Sequence, residues 1–314
     1  MANWQFTKGL HDLGDGAYAY LQPDGSWGWS NAGLIVDGDQ SLLVDTLFDQ
    51  KLTRQMLDAM ADAAKAAKDI DTVVNTHANA DHTFGNALVR DAEIIASDAS
   101  ASEWDGFPPE ALAELMRNTD QMGEVGEFFA SRFSDFDFED CELVGPSRTF
   151  TGRLDVKVGD KAVELIEVGP AHTLGDVLIH VPDNKVLYTG DILFIGGTPI
   201  LWAGPVGNWI KACDLIMDLD VDAIVPGHGP ITDKAGVRRM QDYLVYVDAE
   251  ARKRYDAGLS MEDAIQDIAL GDFSSWGDAE RIAVNVSTLY REYAGDTSER
   301  DPLSLFAMMA KIAN

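Results

Sequence analysis

Short apolar runs recur along roughly the first 230 residues, and their length and β-branched content predict β-strands. Stretches with helical spacing of apolar residues separate them, at 49–68, 99–134 and 207–218. The pattern therefore predicts two halves, each of strands followed by helices, whose strands end in loops rich in His, Asp and Gly. The predicted strands are 31–36, 40–46, 70–77, 92–97, 151–158, 161–168, 175–181, 185–190 and 222–227.

The pattern becomes wholly helical after about residue 233. Gly258 and the N-cap candidate Ser260 separate two of the predicted helices. We therefore expect two units. Residues 1–235 form an α/β domain with a helical insertion at about 99–134, and 236–314 form a C-terminal helical extension packed on it.

The composition limits the kinds of binding partner that we expect. The 314 residues carry a formal charge of −29, and such a surface repels nucleic acid and anionic membranes. No apolar run approaches the ~18 residues of a membrane span, and the opening stretch lacks a basic leader. We expect a cytoplasmic protein that acts on a small molecule. A homodimer is one option, because aromatic residues on the C-terminal helices suit either an interface or a cover over the site.

Histidines and aspartates stand where predicted strands end, in Gly-rich loops that allow close approach of backbone and ion. Imidazole nitrogens and carboxylate oxygens are ligands suited to zinc, iron or manganese. Their recurrence in parallel contexts predicts a metal site. The residues concerned are His77, Asp81, His82, His172, Asp191 and His228.

These residues resemble, in order, the ligands of the metallo-β-lactamase-fold hydrolases. The stretch "THANADH" (76–82) corresponds to the family's T-H-x-H-x-D-H, with Asn79 in place of the second histidine. "LLVDT", with Asp45, fits the family's strand before the first helix. The resemblance covers roughly 30–235 and implies a four-layer αββα sandwich with the metals at one edge.

The resemblance also implies how the ligands divide. The first metal site would take His77, position 79 and His172, the second would take Asp81, His82 and His228, and Asp191 would bridge them. In this family the metals activate water for attack on esters, lactones, thioesters and related bonds. Asp81 and Asp191 are the residues expected to orient that water or take its proton.

Asn79 offers an amide oxygen, which is a weaker ligand for zinc than an imidazole nitrogen. Three outcomes stay open: a dinuclear site with a weakened first metal, a mononuclear site, or a vestigial one. We expect one or two zinc ions, with iron or manganese as alternatives. Asn79 either ligates metal or bonds only to the loop around it.

Seven tryptophans favour an apolar pocket beside the metals, and Trp29 and Trp202 are the candidates for its walls. The leading hypothesis is a metal-dependent hydrolase for a small, partly apolar ester-like substrate. One alternative is an iron dioxygenase of the same fold, with His77, His172 and Asp191 as its triad. Another is a non-catalytic protein that binds an apolar ligand.

Overall fold

The computed structural model describes residues 4–298 and 300–313, and two β-sheets packed face to face form its centre. The first sheet has seven strands in sequential order, and the second has five in the order β12-β11-β10-β9-β8. The first sheet comprises β1 (Gly9–Gly14), β2 (Ala17–Leu21), β3 (Ala32–Asp37), β4 (Gln40–Val44), β5 (Thr72–Val74), β6 (Glu93–Ser97) and β7 (Arg148–Phe150). The second comprises β8 (Arg153–Val158), β9 (Lys161–Glu167), β10 (Val177–Val181), β11 (Val186–Tyr188) and β12 (Ala223–Val225).

Inner strands of both sheets, such as β4 and β10, are buried on both faces, which explains why they read as continuous apolar runs. Leu42 and Val44 of β4 pack between the sheets with residues such as Leu165 of β9. Leu43, which points the opposite way, packs against the helices outside. The layers are therefore helix, sheet, sheet, helix, and the predicted αββα sandwich is confirmed.

The helices follow the predicted order with shifted ends. The predicted helix 49–68 stops at Ala63, and 65–68 forms a separate 3-10 turn. The insertion comprises three helices, and the C-terminal stretch four. The helices are α1 (Gln50–Ala63), α2 (Ala80–Thr83), α3 (Asp98–Ser102), α4 (Pro109–Arg117), α5 (Gly123–Phe133), α6 (Val206–Asp218), α7 (Lys234–Asp256), α8 (Met261–Asp267), α9 (Ile282–Ala294) and α10 (Pro302–Ala313).

Three strands, β1, β2 and β7, and the last helix, α10, were not predicted. β1 is an edge strand whose side chains are mostly half-buried or exposed, so its sequence lacks an apolar run. Among the described residues, none of the helices combines the length and the apolar character needed to cross a membrane. The division of the chain at residue 235 stays a prediction.

One edge of the sandwich collects the loops that follow β5, β9, β11 and β12. Backbone bonds tie these loops together: Val177 N donates to Thr76 O at 2.8 Å and Gly227 N to Gly190 O at 2.8 Å. The packing there leaves no room for a side chain at position 227, because a Cβ would lie 2.0 Å from Oδ1 of Asp191. The loops thus bring four separate chain segments to one point.

Candidate metal centre

The six His and Asp residues predicted as ligands lie together at this edge, in two groups of three whose ligand atoms are within 4.8 Å of one another. The first group is His77, His172 and Asp191, and the second is Asp81, His82 and His228.

Asp191 lies between the two groups. Its Oδ2 is 3.3 Å from His172 Nε2 and 3.8 Å from His77 Nε2, both in the first group. Its Oδ1 is 3.1 Å from His82 Nε2, and its Oδ2 is 3.5 Å from His228 Nε2. One carboxylate therefore faces all four imidazoles, which is the arrangement of a bridging ligand.

The second group has a carboxylate of its own. Asp81 Oδ2 lies 3.2 Å from His228 Nε2 and 3.9 Å from His82 Nε2. Asp81 keeps 16% of its side chain exposed, whereas Asp191 keeps 4%. Asp81 is therefore the carboxylate of the centre that faces the open side.

Each imidazole is held through Nδ1, so that Nε2 points to the centre. Nδ1 is the donor in each of these bonds. Backbone carbonyls and carboxylates can only accept, and the Thr76 hydroxyl already donates to Asp45 Oδ2 at 2.7 Å. The Nδ1 acceptors are Thr76 Oγ1 at 2.9 Å for His77, Asp45 Oδ2 at 2.9 Å for His82, Ile200 O at 2.7 Å for His172 and Gly25 O at 3.1 Å for His228.

Asp45 supports two of these imidazoles, His82 directly and His77 through Thr76. It adopts a left-handed backbone conformation, with φ of 61°, and its Oδ1 accepts the Thr76 backbone N–H at 2.7 Å. Carboxylates behind ligand imidazoles fix their tautomer and raise their basicity. Sequence reasoning noted Asp45 only for its place in a strand, since its partner His82 lies 37 residues away.

The side chain of Asn79 reaches the centre rather than its own helix. Asn79 is the N-cap of α2 but makes no side-chain capping bond there. Instead its Nδ2 lies 3.0 Å from His172 Nε2, the nitrogen that faces the first group. Because His172 Nδ1 donates to Ile200, Nε2 carries the lone pair and accepts from the amide. Asn79 thus contacts a candidate ligand atom.

The polar atoms of the centre suit a cation. Buried His77 Nε2 has no hydrogen-bond partner among the described residues, and His82 Nε2 and Asp191 Oδ1 face only each other, 3.1 Å apart. Imidazole lone pairs facing carboxylate oxygens in a buried space are unfavourable unless a positive charge lies between them. The donor set, neutral nitrogens with carboxylate oxygens, is one that divalent transition metals prefer.

The pKa values of the centre follow from burial and charge. Burial lowers the pKa of His77, and it lowers that of His172 to about 4, so both imidazoles are neutral at physiological pH. Burial also lowers the pKa of His82, but the carboxylates of Asp191, Asp81 and Asp45 outweigh it and raise that pKa well above its ordinary value. A proton on His82 therefore competes with a metal ion for the same carboxylates.

A cavity of about 420 Å³ opens beside the centre at Asn79 and Asp81. Of the two tryptophans expected in a pocket wall, Trp202 lines this cavity and Trp29 does not. The Trp29 ring packs 4.7 Å from that of Phe136. Sequence reasoning missed most of the walls, because they come from distant segments. The apolar lining includes Trp27, Phe48, Phe84, Trp104, Phe107, Leu112, Phe129, Phe133, Leu143 and Phe306.

Buried charges from the C-terminal part hold Trp27 in that wall. Trp27 Nε1 donates to Glu280 Oε1 at 3.0 Å, and Arg132 Nη2 donates to the same oxygen at 2.9 Å. The Arg281 guanidinium lies 4.2 Å from the Trp27 ring centroid, at a distance suited to a cation–π contact. The cavity wall thus depends on the segment before α9.

Asp176 lies in the turn after His172. Its carboxylate accepts from the backbone N–H and the hydroxyl of Thr173, at 3.0 Å and 2.8 Å. Burial raises the pKa of Asp176 to about 8. Since His172 Nδ1 donates to Ile200 O, Asp176 is a turn residue here and not the group that orients that imidazole.

Comparisons with known proteins identify the family of the chain. A model of the metallo-beta-lactamase superfamily matches residues 25–228, about two thirds of the chain. The chain belongs to this superfamily, most of whose members are hydrolases.

Two curated relatives and one solved structure illustrate the range of proteins to which the chain is similar. The chain is 29% identical over 203 residues to the 2,4-dinitroanisole O-demethylase subunit alpha of Nocardioides sp. (strain JS1661), covering 62% of this chain and 51% of that protein. It is 22% identical over 223 residues to a metallo-beta-lactamase type 2 of Bacillus sp. (strain 170), covering 68% and 72%.

The solved structure is the inverting sec-alkylsulfatase Pisa1 from Pseudomonas sp., with a TM-score of 0.67 at 16% identity. The match covers 94% of this chain and 52% of that one. At this identity the likeness shows the fold alone. The chain spans about half the length of both the demethylase subunit and the sulfatase.

Proposed function

We propose that this protein is a metal-dependent hydrolase that cleaves a small, predominantly apolar ester, lactone, thioester or related bond. The observation that carries the proposal is the junction of two features. A buried centre of four imidazoles and two carboxylates meets an aromatic cavity at Asp81. The reactive bond would lie at that junction, with the apolar part of the substrate in the cavity.

Seven residues would hold the metal. His77 and His172, with the amide oxygen of Asn79 as a weaker third ligand, would supply the first position. Asp81, His82 and His228 would supply the second, and Asp191 would be shared between them. When bound, a divalent ion such as zinc would act as a Lewis acid, which lowers the pKa of water to about 7 and polarises a carbonyl.

Asp81 and Asp191 take different parts in this proposal. Although burial raises the pKa of Asp81, the His82 and His228 imidazoles hold it at about 2, so this carboxylate is ionised. It faces the cavity, where it can orient water through hydrogen bonds and accept a proton at Oδ1 or Oδ2. Asp191 is buried behind it, and its role is to hold the two halves together.

The cavity walls bind and desolvate the substrate. Aromatic side chains from the 24–31 loop, the insertion and α10 enclose the space beside Asp81. Burial of an aryl or alkyl group against them contributes about 25 cal/mol per Å² of apolar surface. The similarity to a protein named for demethylating 2,4-dinitroanisole supports an aromatic substrate. We also propose that 236–314 form a helical extension that completes the cavity, since Pro302 and Phe306 line it.

Metal analysis tests this function first. Protein purified without chelator should contain close to two zinc ions per chain, or one if the first position is weak, and should hydrolyse phenyl acetate or a related aryl ester. Chelation should abolish the hydrolysis, and added zinc should restore it. A single iron with consumption of O₂ would point to the dioxygenase instead, and a chain that takes up no metal would refute the proposal.

A further inference from the structure

We propose that Glu103 makes the cavity a binding site for an aromatic substrate that carries a positive charge, such as a quaternary or protonated amine. The inference deepens the proposed function, because it names the substrate class of the same cavity.

The charge of the cavity lining supports this assignment. Glu103 and Asp81 are acids, and none of the lining side chains within the described part of the chain is Lys, Arg or His. Asp81 faces the metal centre, whose imidazoles and bound ions would compensate it. Glu103 is therefore the acid whose charge acts on the rest of the cavity.

Glu103 has no cationic partner among the described residues. Its Oε2 accepts the backbone N–H of Leu174 at 2.9 Å, which fixes the direction of the carboxylate. Three arginines near the cavity wall have other partners. Arg132 pairs with Glu280 at 2.9 Å and Arg281 with Asp278 at 3.3 Å. Arg300 donates to the carbonyl of Trp202 and, at 2.7 Å, to the hydroxyl of Thr288. A half-buried carboxylate without a counter-ion favours a ligand that brings one.

The neighbouring walls suit the same group. Trp104, Phe107 and Trp202 line the cavity together with Glu103, and the faces of aromatic rings attract ammonium groups, most strongly when water is excluded. A carboxylate in a cavity lined by several aromatic rings is a combination that recognises alkylammonium groups. The chain's net charge of −29 would further draw cations and repel anions on approach.

A pair of ligands of equal shape tests the charge alone. We would measure the affinity of the metal-loaded protein for 3-(trimethylammonio)phenol and for 3-tert-butylphenol by calorimetry. The wild type should bind the cation at least as tightly, although the isostere is more hydrophobic. Glu103→Gln keeps the acceptor for Leu174 N–H but removes the charge. The ratio of the two affinities should fall about tenfold in E103Q and further in E103K.

Glu110→Lys is the matched control, because Glu110 is exposed on the same insertion and does not line the cavity. Its ratio should equal that of the wild type. An affinity ratio unchanged in both E103Q and E103K would overturn the inference, as would a wild type that binds the cation tenfold more weakly than its isostere.

Hydrolysis of the two corresponding acetate esters separates the two proposals. Turnover of both esters without dependence on Glu103 would refute the cation site and leave the hydrolase standing. A Glu103-dependent affinity for the cation, without turnover of either ester or of phenyl acetate, would support the cation site and count against the hydrolase.

Discussion

The two halves of the candidate metal centre share Asp191 but differ in the other groups that they offer to a cation. The half around His77 and His172 has no carboxylate of its own, and the amide of Asn79 occupies the lone pair of His172 Nε2. The half around His82 and His228 adds Asp81. Two carboxylates attract a dication more strongly than one, so the second half should bind metal more tightly and fill first.

The acceptors that hold the imidazoles through Nδ1 also favour the second half. His82 donates to the carboxylate of Asp45, whereas His172 donates to a backbone carbonyl and His77 reaches Asp45 only through the Thr76 hydroxyl. A carboxylate behind the ring makes the facing nitrogen a stronger donor. Both differences therefore favour metal binding in the second half over the first.

Removing the shared ligand should have the largest effect. Asp191→Asn replaces the carboxylate that faces all four imidazoles, so both halves should lose metal and ester hydrolysis should fall roughly a thousandfold or more. Metal content per chain, measured by mass spectrometry, checks this. Asp176→Asn is the control, because Asp176 is equally buried but bonds to Thr173. If D191N retains two metals, Asp191 does not bridge the halves.

Weakening the hydrogen bond that supports His82 should have the next largest effect. Asp45→Asn leaves a group of the same shape but weakens the acceptor for His82 Nδ1–H, and we expect metal affinity in the second half to fall about 10- to 100-fold. Thr76→Val removes the weaker link to His77, so the first half should lose less. Competition with a zinc chelator gives both affinities. Equal losses in D45N and T76V would contradict the difference between the halves.

An imidazole at position 79 should change metal binding in the first half of the centre. Asn79→His should raise zinc affinity in the first half by about tenfold, because nitrogen is the better ligand and the bond to His172 disappears. Stepwise titration with cobalt, followed by its absorption, distinguishes the two halves. Asn79→Ala, which can neither ligate nor bond to His172, is the control. If N79H and N79A have equal affinity in the first half, position 79 does not reach the metal.

The layered fold and the cluster of candidate ligands could be predicted from the sequence because both leave local marks. Each ligand follows an apolar run, and parallel strands bring their ends to one edge of a sheet. The contacts of Asn79 and Asp45 with imidazoles 93 and 37 residues away leave no such mark. Neither does the cavity: Trp29 and Trp27 stand two positions apart in one loop, yet only Trp27 lines it.

The smallest predicted effect comes from a substitution in the cavity wall around Trp27. It contrasts most clearly with the substitutions in the metal centre. Glu280 accepts hydrogen bonds from both Trp27 and Arg132, so Glu280→Gln should loosen the ring without touching a ligand. We expect KM for phenyl acetate to rise about two- to fivefold, with kcat and metal content unchanged, because binding in the cavity weakens while the reacting centre stays intact.

Glu262→Gln on α8, an exposed residue of the same C-terminal part, is the matched variant and should keep the wild-type KM. A fall in kcat or loss of metal in E280Q would mean that Glu280 supports the centre as well as the wall. An unchanged KM would mean that Arg281, stacked on the Trp27 ring, is sufficient to hold it. The first result would show that the wall and the metal centre are coupled through Glu280, and the second that the bond from Glu280 is not needed to hold the ring.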